Sequence, residues 1–180
     1  MIVLGYIGNH ASDDIAARIG WAAVRAAQKG ATWRRVTHVE AVLAGTGRHC
    51  AIGSSSLRDG GVRIKPDANL TPANWVAVNV PHWDTEAAID WFTAHSGEPY
   101  DTRGALATVL WFLPHHRGSW FCNEAVAAAH GVIDPHRLTP AAFFALALSQ
   151  PGARICTAEF FAVDEPGAPR LTLQKGLALA

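Results

Sequence analysis

Cys122 has both a residue type and a position suited to covalent chemistry. It lies in RGSWFCNEAVAAAHG (117–131), just before a run of small and apolar residues that predicts a helix stopped at Gly131. A cysteine in the first turn of a helix is close to unpaired backbone N–H groups and to the positive end of the helix dipole, which favour the thiolate. The same N–H groups can hold an oxyanion. The competing interpretation is a buried structural thiol, a common role of free cysteine.

His38 is the histidine best placed to serve a cysteine nucleophile as base. The β-type run VTHVEAV predicts a strand, on which His38 and Glu40 share one face while Val39 and Ala41 share the other. A carboxylate beside an imidazole can orient the ring and stabilise its charged form. The alternative interpretation is an edge strand with a solvated polar face.

A metal site is the other chemistry that these residues could support. His38, Glu40, His49 and Cys50 could form a ligand set, but the chain has no CxxC, HExxH or comparable spacing. We therefore predict no metal site, and a metal-binding protein remains only a minor alternative.

Composition restricts the classes of partner. The 180 residues contain fifteen basic and fifteen acidic side chains without a basic block, which argues against a nucleic-acid partner. The apolar start MIVLGYIGNH has no positively charged region and reads as a first strand, and no apolar run is long enough to span a bilayer. Three cysteines suit a reducing compartment better than a disulfide framework. We expect one soluble cytoplasmic domain over 1–180, with release by cell lysis as an open alternative.

The hydrophobic pattern predicts an α+β fold, with a small, largely antiparallel sheet and helices packed on it. Hairpin turns are expected at GTGR (45–48) and RDGG (58–61). The predicted strands are 2–8, 34–45, 49–56, 62–66, 74–81 and 154–163, and the predicted helices are 12–30, 84–97, 103–113, 119–131 and 139–148.

Two segments, in this order, resemble the papain-like NlpC superfamily. THVEAVLAGTGRHCAIGSSSLRDGGVRI (37–64) is similar to its histidine-bearing hairpin, and GEPYDTRGALATVLWFLPHHRGSWFCNEAVAAA (97–129) is similar to the segment that carries its cysteine helix. A histidine that precedes the cysteine matches the circularly permuted branch, which contains YiiX-like cysteine hydrolases. The resemblance covers about residues 1–150, and bacteriophage and prophage proteins of this type share a similar layout.

The resemblance implies a role for three residues and a reaction. Cys122 matches the nucleophile, His38 the general base, and Tyr100 a tyrosine near the nucleophile that would position substrate. The implied protein is a cysteine hydrolase that cleaves an amide bond through an acyl-enzyme, with a cell-wall peptide as leading substrate and no metal or organic cofactor. The alternatives are a lipid-ester or thioester acyl hydrolase and a non-enzymatic phage structural or host-interaction module. The oligomeric state is left open.

The third catalytic residue departs from the family pattern. The family places a His, Asn, Gln or Glu on the strand after the histidine, where this chain has Ile52 and Gly53. We predict that Glu40 orients His38, with His49 and then Ser54 as the alternatives.

Overall fold

A six-stranded antiparallel sheet is the centre of the fold in the computed structural model, which describes residues 1–8, 22, 24–107 and 118–162. The strands are β1 Ile2–Tyr6, β2 His38–Gly45, β3 His49–Ser56, β4 Gly61–Asn69, β5 Trp75–Asn79 and β6 Arg154–Ile155. Their order across the sheet is β4-β3-β2-β1-β5-β6, and each neighbouring pair is antiparallel. The prediction of an α+β fold with an antiparallel sheet is confirmed.

Two of the helices in the described part of the chain begin at a side-chain cap. The helices are α1 Thr85–Ala94, α2 Thr102–Ala107, α3 Cys122–Ala129, α4 Pro140–Ser149 and α5 Thr157–Ala162, with short 3-10 turns at Pro72–Asn74 and Pro135–Arg137. Asp84 caps α1 by accepting from the N–H of Glu86 at 2.8 Å, and Thr139 caps α4 by accepting from that of Ala142 at 3.1 Å. The helix predicted over 12–30 and the end of the one over 103–113 lie mostly outside the described residues.

The main core fills the space between one face of the sheet and three helices, α1, α3 and α4. Val39 and Ala41 of β2 face this core with Val126 of α3 and Phe144 of α4. Gly5 of β1 makes room for α4, because a Cβ at this position would lie 2.6 Å from Cε2 of Phe144. The alternation of Val39 and Ala41 with polar neighbours therefore sends the helix-facing side chains to one side of the sheet.

A smaller core covers the opposite face of the sheet. Leu4, Val42, Ile52 and Ala77 project from four strands and are covered by Phe160 of α5. His38 and Glu40 alternate with Val39 and Ala41 on β2, and Leu4 pairs with Glu40 across β1 and β2. Among the described residues, no helix combines the length and apolar character needed to cross a membrane.

The strand predicted over 154–163 is wrong beyond Ile155, because residues 157–162 form helix α5. The N–H of Cys156 donates to Ala77 O at 2.9 Å, and the carbonyl of Cys156 then accepts from the N–H of Phe160 at 2.8 Å, which begins the helix. The aromatic pair in TAEFFA favours a strand by propensity alone. Phe160 is buried against the smaller core, and this burial outweighs the strand propensity of the segment.

Candidate active site

The His38 ring is held between two strands and a tryptophan. His38 is the first residue of β2 and pairs with Tyr6 on β1, which in turn pairs with Trp75 on β5. The rings of His38 and Trp75 meet edge to face with their centroids 6.4 Å apart. The backbone of His38 is therefore fixed in the sheet, and its side chain is only 12% exposed.

Glu40 is the acceptor behind the His38 ring. Its Oε1 lies 3.2 Å from His38 Nε2 and also accepts from Ser54 Oγ at 2.8 Å and from Lys65 Nζ at 3.0 Å. Burial raises the pKa of Glu40, but the hydrogen bonds and charges of His38 and Lys65 outweigh it and lower the pKa to about 2. Glu40 is therefore an ionised carboxylate across the neutral range, although its side chain is almost completely buried.

A second carboxylate extends this arrangement. Asp59, in the turn before β4, contacts Lys65 Nζ at 2.8 Å and Arg63 at 2.6 Å. Burial raises the pKa of Asp59, but hydrogen bonds from Lys65 and Ser56 and the charges of Lys65 and Arg63 lower it to about 2. Lys65 thus bridges the carboxylates of Asp59 and Glu40. Glu40 in turn contacts both Lys65 and His38.

Cys122 lies at the start of α3, which hydrogen bonds fix against the sheet. Ser55 of β3 donates from its hydroxyl to Trp120 O at 2.6 Å, and the N–H of Trp120 donates to Pro99 O at 3.0 Å. On the other side, Asn123 donates from Nδ2 to Leu138 O at 2.7 Å. Cys122 is the first helical residue, and its predicted position at a helix start is confirmed.

Cys122 and Glu40 both act on the His38 ring, while the Cys122 thiol donates to Asn123 Oδ1 at 3.8 Å. Burial by itself lowers the pKa of His38, whereas Cys122 and then Glu40 raise it, and the result is a pKa of about 10. The ring therefore lies between a sulfur and a carboxylate and keeps its proton at neutral pH. This is the charge distribution that a thiolate–imidazolium pair requires.

Tyr100 lies near the start of α3. Its backbone forms a parallel bridge with Trp120, two residues before Cys122. Burial raises the pKa of the Tyr100 phenol strongly, and the charges of Cys122, Asp101 and Glu124 raise it further. Tyr100 therefore keeps a neutral hydroxyl, which can donate or accept a hydrogen bond.

Two acidic residues that the sequence did not bring to attention lie beside the start of α3. Glu124 is fully buried and its Oε2 accepts from the N–H of Phe121 at 3.3 Å, while Asp101 Oδ1 accepts from the N–H of Gly104 at 2.8 Å. Burial raises the pKa of Glu124, the Phe121 N–H lowers it, and the charge of Asp101 raises it, to about 8 in total. Glu124 is therefore mostly protonated at neutral pH.

The three candidates for the orienting residue have different partners in the structure. Glu40 contacts the His38 ring, and Ser54 contacts Glu40 rather than the ring. His49 is exposed and bonds to Asp67 at 2.9 Å instead. In the described part of the chain, no group of three or more His, Cys, Asp or Glu side chains could hold a metal ion.

Lys65 and Asp59 are the site residues that sequence reasoning missed. Both belong to the turn and strand RDGGVRIKP, which predicted a hairpin but gave no reason to connect its charges with Glu40. The missing information was the register, in which Lys65 of β4 pairs with Ile52 after an irregularity in the β3–β4 ladder. Glu124 had a usable signal, since a glutamate at the third position of a helix is typical of a capping arrangement.

Comparison of this chain with protein-family models, curated proteins and solved structures found no match. A functional proposal therefore depends on the residues of the chain itself and on their geometry.

Proposed function

We propose that this chain is a cysteine hydrolase with a circularly permuted papain-like, NlpC-type fold, and that it cleaves an amide bond through Cys122 and His38. The observation that carries the proposal is the placement of the His38 ring, which has Glu40 at its Nε2 and is acted on by Cys122 at the start of α3. Since Nε2 is directed at Glu40, we expect Nδ1 to face the sulfur. Cys122 as nucleophile, His38 as base and Glu40 as the carboxylate that orients the base together form a catalytic triad.

In the first half of the proposed reaction, the Cys122 thiolate attacks the substrate carbonyl carbon. Backbone N–H groups in the first turn of α3 stabilise the oxyanion, because they have no partner within the helix. The protonated His38 donates its proton to the leaving nitrogen. The C–N bond then breaks, an amine departs, and a thioester joins the acyl group to Cys122.

In the second half, water attacks the thioester. The neutral His38 takes a proton from the water, the C–S bond breaks, and the carboxylic acid leaves as the thiolate and imidazolium are restored. Glu40 remains ionised throughout and keeps the ring oriented, while Lys65 and Ser54 fix Glu40. Tyr100, whose backbone bridges to Trp120 just before Cys122, positions the acyl group of the substrate, the role that the resemblance implies.

The substrate class follows from the NlpC resemblance rather than from the described residues. It favours a peptide amide, with cell-wall peptides first and a lipid ester or thioester second. The proposed chemistry needs neither a metal nor an organic cofactor, because the thiolate, the imidazolium and the backbone donors supply every step.

The proposal is tested by the alkylation rate of each cysteine with iodoacetamide near pH 6. Cys50, Cys122 and Cys156 are 3%, 4% and 6% exposed, so differences in access do not separate them. We expect Cys122 to react at least about tenfold faster than the other two, because a histidine-paired thiolate persists at this pH. Mass spectrometry of tryptic peptides gives the three rates in one sample.

His38→Gln should remove the advantage of Cys122, and His49→Gln is the matched control because His49 is exposed and contacts Asp67 instead. A Cys122 rate equal to those of Cys50 and Cys156, or a rate unaffected by His38→Gln in a folded variant, would contradict the proposal. The same preparations should release p-nitrophenolate in a stoichiometric burst from p-nitrophenyl acetate, and Cys122→Ser should abolish the burst.

A further inference from the structure

A groove of about 530 Å³ lies on the Glu40 side of His38. Its lining includes Tyr6, Glu40, Arg58, Lys65, Asp67 and Trp75, and we call it the Tyr6 groove. The rings of Tyr6 and Trp75 meet edge to face with their centroids 5.0 Å apart, and Trp75 also contacts the His38 ring. The groove therefore reaches His38 through two residues of its lining, Trp75 and Glu40, which both contact the His38 ring.

Positive charge is in excess at the end of the groove next to His38. Arg58, Arg63 and Lys65 all contact Asp59, and Lys65 also contacts Glu40, so three cations meet two carboxylates. Arg58 makes the longest of the contacts to Asp59, at 3.4 Å, and its side chain is 85% exposed. The excess charge is therefore on Arg58, the member most accessible to a ligand.

Asp67, the acidic residue of the lining besides Glu40, lies at the other end. Asp67 bonds to His49, and His49 lies where β3 pairs with Asn69, at the far end of the β3–β4 hairpin from Ser56 and Gly61. Since Ala41 pairs with Gly53, His38 lies towards the Ser56 end. The groove is thus polarised, with its cationic end next to the reacting groups.

Arg58 lines the groove, and a second arginine, Arg25, acts on the Tyr6 phenol from outside the lining. Arg25 donates to Gly8 O at 3.2 Å, and the charges of Arg25 and Arg58 both reach the Tyr6 phenol. Burial raises the pKa of Tyr6, while these two arginines act to lower it. Arg58 is therefore an exposed guanidinium group that both lines the groove and acts on Tyr6.

We propose that the Tyr6 groove binds the leaving-group portion of the substrate, and that this portion carries an anionic group held by Arg58. This rests on the proposed function, since His38 protonates the leaving nitrogen and the departing chain must lie on the His38 side of the sulfur. Guanidinium groups bind carboxylates through paired hydrogen bonds, and the faces of Tyr6 and Trp75 provide an apolar surface for the rest of that chain.

The leaving-group side can be probed through acyl transfer. After p-nitrophenyl acetate has acetylated Cys122, the acetyl-enzyme divides between water and an amine that binds where the leaving group departed. The acceptors are glycyl-glutamate amide and glycyl-glutamine amide, which differ by one carboxylate. Attack by their amino group forms an N-acetyl peptide and returns the thiol, so the yield of each peptide measures its occupancy of the groove.

We expect the glutamate acceptor to capture about fivefold more acetyl groups than the glutamine acceptor, the size of one partly exposed ionic contact. Arg58→Gln should bring this ratio close to one. Arg137→Gln is the matched control, because Arg137 is 76% exposed and contacts Asp134 away from the groove. Its ratio and its burst should equal those of the unmodified protein.

A binding measurement separates the subsite from the chemistry. Titration of ¹⁵N-labelled protein with each acceptor should shift the indole N–H signal of Trp75 with the glutamate peptide at lower concentration than with the glutamine peptide. A normal burst with equal capture of the two acceptors would overturn the subsite and leave the hydrolase intact. Absence of any burst would overturn the hydrolase, and the leaving-group assignment with it, even if Trp75 responds to the glutamate peptide.

Discussion

Two buried glutamates lie on opposite sides of the Cys122–His38 pair in opposite charge states. Glu40, on the sheet, is 3% exposed and has its pKa lowered to about 2, whereas Glu124, at the start of α3, is completely buried and has its pKa raised to about 8. Burial raises the pKa of both. The difference comes from their partners, since Glu40 meets Lys65 and His38, while Glu124 meets one backbone N–H and the charge of Asp101.

Because Glu40 is ionised and Glu124 is mostly protonated, the sheet side and the helix side of the site differ in charge. The sheet supplies a fixed negative charge that stabilises the protonated His38. On the helix side Glu124 stays mostly neutral at physiological pH, so it adds little to the negative charge that Asp101 places beside the start of α3. The charge of the sheet side thus supports the imidazolium, while Glu124 contributes little that would oppose a thiolate at Cys122.

The largest expected effect on this comparison comes from Glu40→Gln. The substitution leaves Lys65 and protonated His38 buried without their shared anion, so the free energy of unfolding at pH 7 should fall by about 3–5 kcal/mol. Urea unfolding followed by circular dichroism measures the change. Glu159→Gln is the control, because Glu159 also pairs with an arginine but on the surface, and its effect should be far smaller. A similar loss in both variants would show that Glu40 has no special role.

Ser54→Ala should have an intermediate effect. It removes one hydrogen bond to the ionised Glu40 and should lower the free energy of unfolding by about 1.5–3 kcal/mol, the range for bonds to charged groups. His49→Ala removes an exposed contact with Asp67 and should change it by less than about 0.5 kcal/mol. Equal effects of the two variants would place Ser54 outside the Glu40 arrangement.

Glu124→Gln should have the smallest effect near pH 4.5, less than about 1 kcal/mol, since a neutral amide replaces a carboxyl that is protonated in the folded protein. A glutamate with a folded pKa near 8 and an ordinary value of 4.5 binds more protons when folded, so its contribution to stability is full below pH 4.5 and is lost as pH rises through 8. The variant should lack this loss and be more stable than the unmodified protein near pH 8.5. Parallel stability curves from pH 5 to 8.5 would show that Glu124 is ionised in the folded protein.

Patterns among neighbouring residues predicted helices and strands and also the contact between His38 and Glu40. Alternation in VTHVEAV predicted that His38 and Glu40 share a face, and they lie in contact, because a spacing of two residues on a strand is enough to determine that result. The same reasoning predicted the bounds of β3 correctly. Residues near one another in the chain could therefore be placed without knowledge of the fold.

The contacts that the sequence did not predict join distant segments or depend on burial. Lys65 reaches Glu40 across β3, which requires the register of two ladders, and one of them is irregular between Cys50 and Ile52. The raised pKa of Glu124 requires the approach of Asp101, which comes from the segment before α2. The helix α5 was missed because the burial of Phe160 outweighs strand propensity.

The edge position of β4 links the chemistry to local folding. β4 is the last strand of the sheet on its side, and it carries Lys65, while Asp59 lies in the turn that leads into it. Edge strands open more readily than central ones, without unfolding of the rest of the domain. Each such opening removes the cation from Glu40, so the fraction of molecules with an assembled site depends on the β3–β4 hairpin and not on the whole protein. Events that hold or release this hairpin would therefore act as a control on reactivity at Cys122, although neither the cysteine nor its helix belongs to it.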